Sequence, residues 1–324
     1  MNKILILTEG GGGIGYGHVT RCSAIAQALG EGSSIVLDSL NTMPIDVDAK
    51  FANWIKNPSL VLDINGGMWP NLILIDAYNA DYECINFLKN SVNFLAVIDD
   101  YNRMVYPCDL IINPSVTGPD YAHQYSKIVS GPEYVILRQD ICESVPKRYH
   151  GELINLLVTF GGGVNSHLLS SILPMLCELN LSINILTGDD NKASYLRSIL
   201  QRDNFKIFGH LNPLEISQLF LKTDLAISAG GQTLNELAFL GVPFIAVETG
   251  EDQYWNIEGY VHASVTGKHF YSSHQYLAEL LYAEIARMEN SLLRSEVSQS
   301  GRDLIDGLGA CRIARLLKYY AHID

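Results

Sequence analysis

His18 is the residue of this chain best placed to do chemistry. It closes the run Glu9-Gly10-Gly11-Gly12-Gly13-Ile14-Gly15-Tyr16-Gly17-His18, between an apolar stretch at Ile4–Leu7 and an apparent helix at Val19–Leu29. An imidazole titrating near its ordinary value of about 6.5 takes a proton from water or a hydroxyl at neutral pH. Glycine tolerates positive φ and lets a ligand approach the backbone, so six glycines here predict a cradle and not a packed turn. Gly13, Gly15, Tyr16 and Gly17 are then candidate contacts of whatever His18 faces. The alternative is a histidine that bonds a backbone carbonyl to fix the turn, and His167, after the second glycine run, is read that way.

A second constellation is Ala226-Ile227-Ser228-Ala229-Gly230-Gly231-Gln232-Thr233-Leu234-Asn235-Glu236-Leu237: an apolar strand, a small-residue turn and a helix start. Amides from Ser228 to Gly231, with Gln232 and Thr233 at the positive end of the helix, suit phosphate oxygens. Such a turn also joins strand to helix for purely geometric reasons. Glu236, one turn on, reaches a ribose if phosphates occupy the amides, or simply favours the helix dipole. Past the next strand, Phe244–Val247, Glu251-Asp252-Gln253 forms a third loop on the same edge. The chain has no GxxxxGK[ST], HExxH or GxSxG, which counts against P-loop phosphoryl transfer, zinc hydrolysis and a serine-esterase mechanism. The glycine run satisfies GxGxxG only loosely, with Asp38 an uncertain ribose partner.

These groups need a scaffold that brings loops to one edge. Ile4–Leu7, Ser34–Leu37, Leu72–Ile75, Phe94–Ile98 and Leu110–Ile112 read as strands alternating with helices, the mark of a parallel sheet wrapped by helices. Asp76 and Asp99-Asp100 then fall at strand carboxyl ends, where ligands of open α/β sheets sit, or serve as helix caps. Arg138 to Leu153 lacks periodicity and reads as a linker. The pattern restarts with a strand at Leu153–Phe160, Gly161-Gly162-Gly163, and a helix at Ser166–Leu179. Strands at Ile183–Leu186, Lys206–Phe208, Leu225–Ser228 and Phe244–Val247 follow. The expected division is 1–145, 151–302, and a helical tail over 303–324 that packs back on the first domain.

The 324 residues exceed one small core, and 48% hydrophobic residues suffice for two. A net charge of −13 argues against sequence-independent nucleic-acid binding or an anionic membrane surface. Six cysteines without a CxxC pair fit reduced thiols and no zinc site. The start is too short in apolar residues for a signal peptide, and no run reaches the roughly 18 residues of a membrane span, so the expected location is the cytoplasm.

Ile14-Gly15-Tyr16-Gly17-His18-Val19-Thr20-Arg21-Cys22 resembles the GxGHxxRC signature of the UDP-2,4-diacetamido-2,4,6-trideoxy-β-L-altropyranose hydrolases of pseudaminic acid biosynthesis. Val97-Ile98-Asp99-Asp100, Cys108-Asp109-Leu110, Gly131 to Arg138, Thr159-Phe160-Gly161-Gly162, Ile227 to Leu237 and Asp306 to Ile313 have counterparts there in the same order. That family is similar in fold to the GT-B glycosyltransferases, including the one that adds N-acetylglucosamine to lipid II. The resemblance implies an α/β, GT-B-like chain: two Rossmann-like domains facing across a cleft.

It further implies a UDP-sugar substrate. UDP phosphates would lie on Ser228, Ala229, Gly230, Gly231, Gln232 and Thr233, flanked by Gly161, Gly162 and Gln253, with the ribose on Glu236. The sugar would meet the first loop, Arg21 and Asp99. His18 would help water attack the anomeric carbon and release UDP, without metal or other cofactor. The hydrolases carry Asp-Ala-Ser before the signature where this chain has Glu9 and glycines. They carry Asn-Gln where it has Asp252-Gln253; that first position is linked to the water, which makes Asp252 the second catalytic candidate. A glycosyltransferase would use the same parts with an acceptor hydroxyl in place of water. A non-catalytic nucleotide-sugar-binding protein is the remote alternative, and His18 beside intact phosphate loops argues against it. Nothing in the sequence sets the oligomeric state.

Overall fold

The computed structural model describes residues 3–11, 15–38, 47–121, 124–125, 127–146, 151–161 and 166–322. The chain divides into two compact units, Met1–Arg138 with Gly307–Asp324, and Gln139–Asp306.

The first unit runs β1 (Ile4–Glu9), α1 (Gly17–Leu29), β2 (Ser33–Asp38), β3 (Ala49–Phe51), α2 (Leu60–Ile64), β4 (Leu72–Asp76), α3 (Tyr82–Lys89), β5 (Phe94–Ile98), β6 (Leu110–Asn113) and β7 (Ile128–Ser130). Its strands pair in parallel in the order β3-β2-β1-β4-β5-β6-β7. Strands β1, β4 and β5 are buried along their whole length, which is why they read as unbroken apolar runs. The pleat divides them: Ile4, Ile6, Leu72, Leu74, Ala96 and Ile98 face a core with Cys22 and Ile25 of α1. Leu5, Leu7, Ile73, Ile75, Leu95 and Val97 face the other, with Val61, Ile85 and Leu88.

The second unit runs α4 (Gln139–Cys142), β8 (Asn155–Thr159), α5 (Ser166–Glu178), β9 (Ser182–Leu186), α6 (Asp190–Ile199), β10 (Phe205–Phe208), α7 (Pro213–Leu221), β11 (Leu225–Ala229), α8 (Gln232–Leu240), β12 (Phe244–Glu248), α9 (Tyr254–His262), β13 (His269–Tyr271), α10 (Leu277–Arg287) and α11 (Ser291–Leu304). Its parallel sheet has the order β10-β9-β8-β11-β12-β13. Helix α7 begins in a capping box, Asn212 with Glu215, and has Pro213 at its first turn, where no intrahelical N–H is needed. Both sheets grow outward in one direction and then the other. The reversals fall between β1 and β4 and between β8 and β11, and such switch points leave a crevice at the strand carboxyl ends.

The sequence reading needs three corrections. Part of the expected linker is α4, a helical turn that packs on α7 and α8 of the second unit; residues 147–150 of that stretch lie outside the described residues. The expected tail helix begins late. Gly307 takes φ +76°, and α12 (Gly309–Ala321) starts where a Cβ on Gly309 would meet Val135 O at 2.1 Å. Helix α12 then lies on α1, with Ile313, Ala314 and Leu317 in the same core as Cys22, Ile25 and Leu29. Finally, β3, β7 and β13 were not read as strands; each has three residues, and β3, β7 and β13 lie at sheet edges where burial no longer demands an apolar run.

Among the described residues, no helix is long and apolar enough to cross a membrane, and no group of three or more His, Cys, Asp or Glu side chains is arranged to hold a metal ion.

Candidate functional site

In the first unit, the loop after β1 doubles back, and Gly11 and Gly15 exchange both backbone hydrogen bonds, at 3.1 and 2.9 Å. Their φ values of +128° and +80° require glycine. Residues 12–14, Gly13 among them, lie outside the described residues. Tyr16 caps α1 without a side-chain bond, and no acid occupies the first turn, so Gly17 and its neighbours present uncapped amides.

His18 sits on the first turn of α1, 6% exposed. The register Thr8↔Asp76 between β1 and β4 brings Asp76 beneath it, and His18 Nδ1 lies 2.6 Å from Asp76 Oδ1. Arg21, one turn on, donates from Nε to Asp76 Oδ2 and from Nη2 to Asp76 Oδ1, both at 2.6 Å. It also donates from Nη1 and Nη2 to the two oxygens of Asp100, both at 2.9 Å. Burial works against the charge on Asp76, but the field of Arg21 and His18 and the hydrogen bonds from both outweigh it and hold its carboxyl well below the usual range. Burial likewise opposes the Arg21 charge, and Asp100 and Asp76 outweigh it.

An ionised carboxylate only accepts, so the short contact puts the His18 proton on Nδ1 and leaves Nε2 bare in the neutral ring. The 3.2 Å approach of Arg21 Nη2 to His18 Nδ1 is then a contact between two donors that share Asp76, not a bond between them. Tyr78 packs edge-on against the imidazole, centroids 4.4 Å apart at 86°, and its hydroxyl donates to Asp100 Oδ2 at 2.5 Å. Glu9 holds Tyr78 in turn: its carboxylate accepts from the Tyr78 and Asn79 amides at 2.5 and 3.0 Å and from Asn79 Nδ2 at 2.9 Å.

Two expected sugar contacts are placed differently. Arg21 is buried and turned to Asp76 and Asp100, so it braces His18 instead of presenting its guanidinium to a ligand. Asp99 is fully buried: Oδ1 accepts from Tyr106 Oη and the Arg103 amide, and Oδ2 from Tyr121 Oη and the Asn102 amide. It ties down the loop after β5, and its neighbour Asp100 is the acid that joins the histidine network.

In the second unit, three loops meet at the carboxyl ends of the adjacent strands β8, β11 and β12. Gly161, at φ +78°, is exposed after β8; Gly162 lies outside the described residues. Between β11 and α8, Gly230 and Gly231 have different reasons to be glycine. A Cβ on Gly230 would come within 2.5 Å of Ile257 Cδ1, whereas nothing lies within 4 Å of one on Gly231, which faces open space. Gly231 caps α8 with no side-chain bond, and the first turn carries no acid. Gln232 and Thr233 follow, half-buried. Ser228 is wholly buried with its hydroxyl on Ala229 O at 3.1 Å, so neither it nor the largely buried Ala229 offers a side chain to a ligand. Glu236 is also buried, at 2% exposure.

Gln253 reaches back to this turn. Its Oε1 accepts from the Gly230 and Thr249 amides, both at 3.0 Å, and Asn256 Nδ2 donates to Gly230 O at 2.9 Å. Asp252 is half-buried in the same turn, Glu251–Gln253. Beside the Gly161 loop, a cavity of about 120 Å³ is walled by Leu169, Leu196 and Ile199, with Thr187, Lys192 and Tyr195 at its polar side. The sequence pointed to Asp76 only as a strand-end acid, marked Asn256 only within the Gln253-Tyr254-Trp255-Asn256 segment that echoes the lipid II N-acetylglucosaminyltransferase, and missed Tyr78. The partners of Tyr78, Glu9 and Asp100, lie far off in the chain, and no local spacing marks it.

No protein-family model matches the chain. It is 23% identical, over an alignment of 341 residues, to the spore coat polysaccharide biosynthesis protein SpsG of Bacillus subtilis, covering 97% of each chain. It is 24% identical over 277 residues to the uncharacterized protein MJ1062 of Methanocaldococcus jannaschii, covering 78% of this chain and 56% of that one. It is 26% identical over 249 residues to the pseudaminic acid cytidylyltransferase and UDP-2,4-diacetamido-2,4,6-trideoxy-β-L-altropyranose hydrolase of Helicobacter pylori, covering 74% and 43%. The chain thus spans about half the length of the last two relatives. The resemblance carried by the His18 signature is therefore met again over most of the chain.

Among solved structures, S. aureus MnaA with UDP superposes at a TM-score of 0.70 and 13% identity over 100% of this chain and 98% of that one. Acinetobacter baumannii MurG superposes at 0.66 and 14% over 98% and 99%. At such identities the likeness speaks for the fold, which is GT-B.

Proposed function

We propose that the chain is a nucleotide-sugar enzyme, and specifically a hydrolase that cleaves the anomeric C–O bond of a UDP-linked diacetamido-trideoxy sugar. The observation that carries this reading is the His18–Asp76 pair. The ionised, buried carboxylate orients the imidazole with Nε2 as its basic atom, at the end of a strand beside a sheet reversal. Water attacks C1, the C1–O bond breaks, its electrons leave on UDP, and the water proton passes to His18 Nε2. UDP is a good leaving group when its charge is held by fixed donors. In this reading the uncapped start of α8 and the open approach to Gly231 hold the diphosphate, and Glu236 takes the ribose. Asp252 is the second candidate on the water. The Helicobacter pylori relative supplies the sugar class and the UDP-bearing structural neighbour the nucleotide.

A second reading, glycosyl transfer, is favoured by the MurG likeness and by Asp252 standing where the hydrolases carry Asn. It uses the same base on an acceptor hydroxyl. UDP release from a panel of UDP-sugars, with no acceptor present, decides. Multiple turnovers lost in His18→Ala establish the hydrolase; tight UDP binding without release favours transfer; neither binding nor release of any UDP-sugar refutes both.

A further inference from the structure

Outside the groups considered so far, the second unit holds a concentrated set of titratable side chains around His269 on the edge strand β13. Its ring is 7% exposed. Nε2 lies 2.7 Å from Glu248 Oε2, and Nδ1 lies 2.7 Å from Glu258 Oε1. The first is a charge contact only: the atoms are close but not aligned as a hydrogen bond, and both are buried without another hydrogen-bond partner. Both ring nitrogens thus face carboxylate oxygens, one from β12 and one from α9. Tyr271 stacks on the ring at 4.5 Å and 14°, and Tyr254 tilts against it at 5.4 Å. The acidity of Tyr271 is lowered, first by burial and then by the field of Glu248, Tyr254 and Glu258.

What the three groups join gives them a use. Glu248 is the last residue of β12, and Glu258 lies in the middle of α9. Between them runs the turn that carries Asp252 and Gln253; Gln253, at the cap of α9, accepts from the N–H of Gly230, and Asn256, in the first turn of α9, donates to its C=O. We propose that His269 is a positioning residue for the phosphate loop: held between Glu248 and Glu258, it fixes α9 to the sheet edge and so keeps Gln253 and Asn256 on Gly230. This rests on the reading that the Gly230–Gly231 turn holds a diphosphate.

The test compares the full chain with His269→Gln and Glu258→Gln, using UDP affinity by calorimetry and amide hydrogen exchange at Gly230 and Thr249. UDP affinity should fall by roughly 2- to 150-fold in both variants, the range of coupling between neighbouring groups. Exchange at the two amides should quicken while that of β9 and β10 stays as in the parent. A purely structural histidine would lower the melting temperature yet leave affinity and both amides unchanged in the folded variant, and that result overturns the proposal. If His269→Gln does not fold, Glu258→Gln, which keeps shape and an acceptor, decides alone. A parent chain that does not bind UDP would sink the functional reading; the exchange measurement would still decide the role of His269.

Discussion

Asp76→Asn changes almost no volume and removes one negative charge from a carboxylate that is fully buried. That carboxylate receives His18 Nδ1, Arg21 Nε and Arg21 Nη2, each at 2.6 Å, and the Cys22 thiol at 3.4 Å. The asparagine amide keeps one acceptor and turns a donor toward groups that are themselves donors. Removing one partner of a buried pair costs about 3–5 kcal/mol. Asp100 still holds Arg21 through two bonds, which places the cost near the low end, about 3 kcal/mol. At about 2–4 °C per kcal/mol for a unit of this size, the melting temperature should drop by about 6–12 °C.

Catalysis should fall further. An amide N–H₂ facing Nδ1 favours the tautomer with the proton on Nε2, and loss of a correctly oriented base removes about 10²–10⁴ in kcat. Asp100→Asn is the matched control, since it strips Arg21 of a partner while His18 keeps Asp76. Calorimetric melts and UDP release should show comparable destabilisation in the two variants, with turnover within about tenfold of the parent only in Asp100→Asn. Equal turnover in both would refute an orienting role for Asp76. Parent-like melting in both would refute the buried network itself.

His18→Ala should keep UDP affinity while turnover falls by about 10²–10⁴; unchanged turnover would remove the imidazole from the reaction. Glu236→Ala should weaken UDP binding measured by calorimetry, and parent-like affinity would end the ribose role. Gly230→Ala should cost about 1–3 kcal/mol in denaturant melts, because its Cβ meets Ile257 at 2.5 Å. Gly231→Ala should melt like the parent and, if the diphosphate is held there as proposed, lose UDP affinity, since its Cβ enters open space. The depressed Asp76 carboxyl contributes stability that is complete above the unfolded carboxylate value of about 3.9 and is lost as pH falls through its folded value. Urea melts should therefore show the first unit weakening below about pH 4, and weakening less in Asp76→Asn.

The central strands were legible in the residues because a strand covered on both faces must be apolar throughout, as in Leu72–Ile75 and Leu95–Ile98. The loops with glycine at positive φ, at Gly11, Gly15 and Gly161, were legible for the same kind of reason: the backbone tolerates little else. The partners of His18 were not. Asp76 and Asp100 reach Arg21 across 55 and 79 residues of chain, and that separation leaves no local pattern. Asp99 and Asp100 are adjacent and look alike in the sequence, yet the alternation of the strand end turns one into the loop and the other toward Arg21. Glu9 stood out only as a departure from a familiar signature. Its function, carrying Tyr78 to the imidazole, depends on a contact 69 residues away.

The unit that carries His18 is made of two pieces of chain, Met1–Arg138 and Gly307–Asp324, with the whole second unit between them. Helix α12 supplies Ile313, Ala314 and Leu317 to the core beneath α1, the helix on which His18 stands. During synthesis the second unit emerges complete while the first, begun earlier, still lacks that cover; domains generally fold as they leave the ribosome. The portion translated first is thus the one finished last, and the helix under His18 gains its full cover only after the second unit has been made.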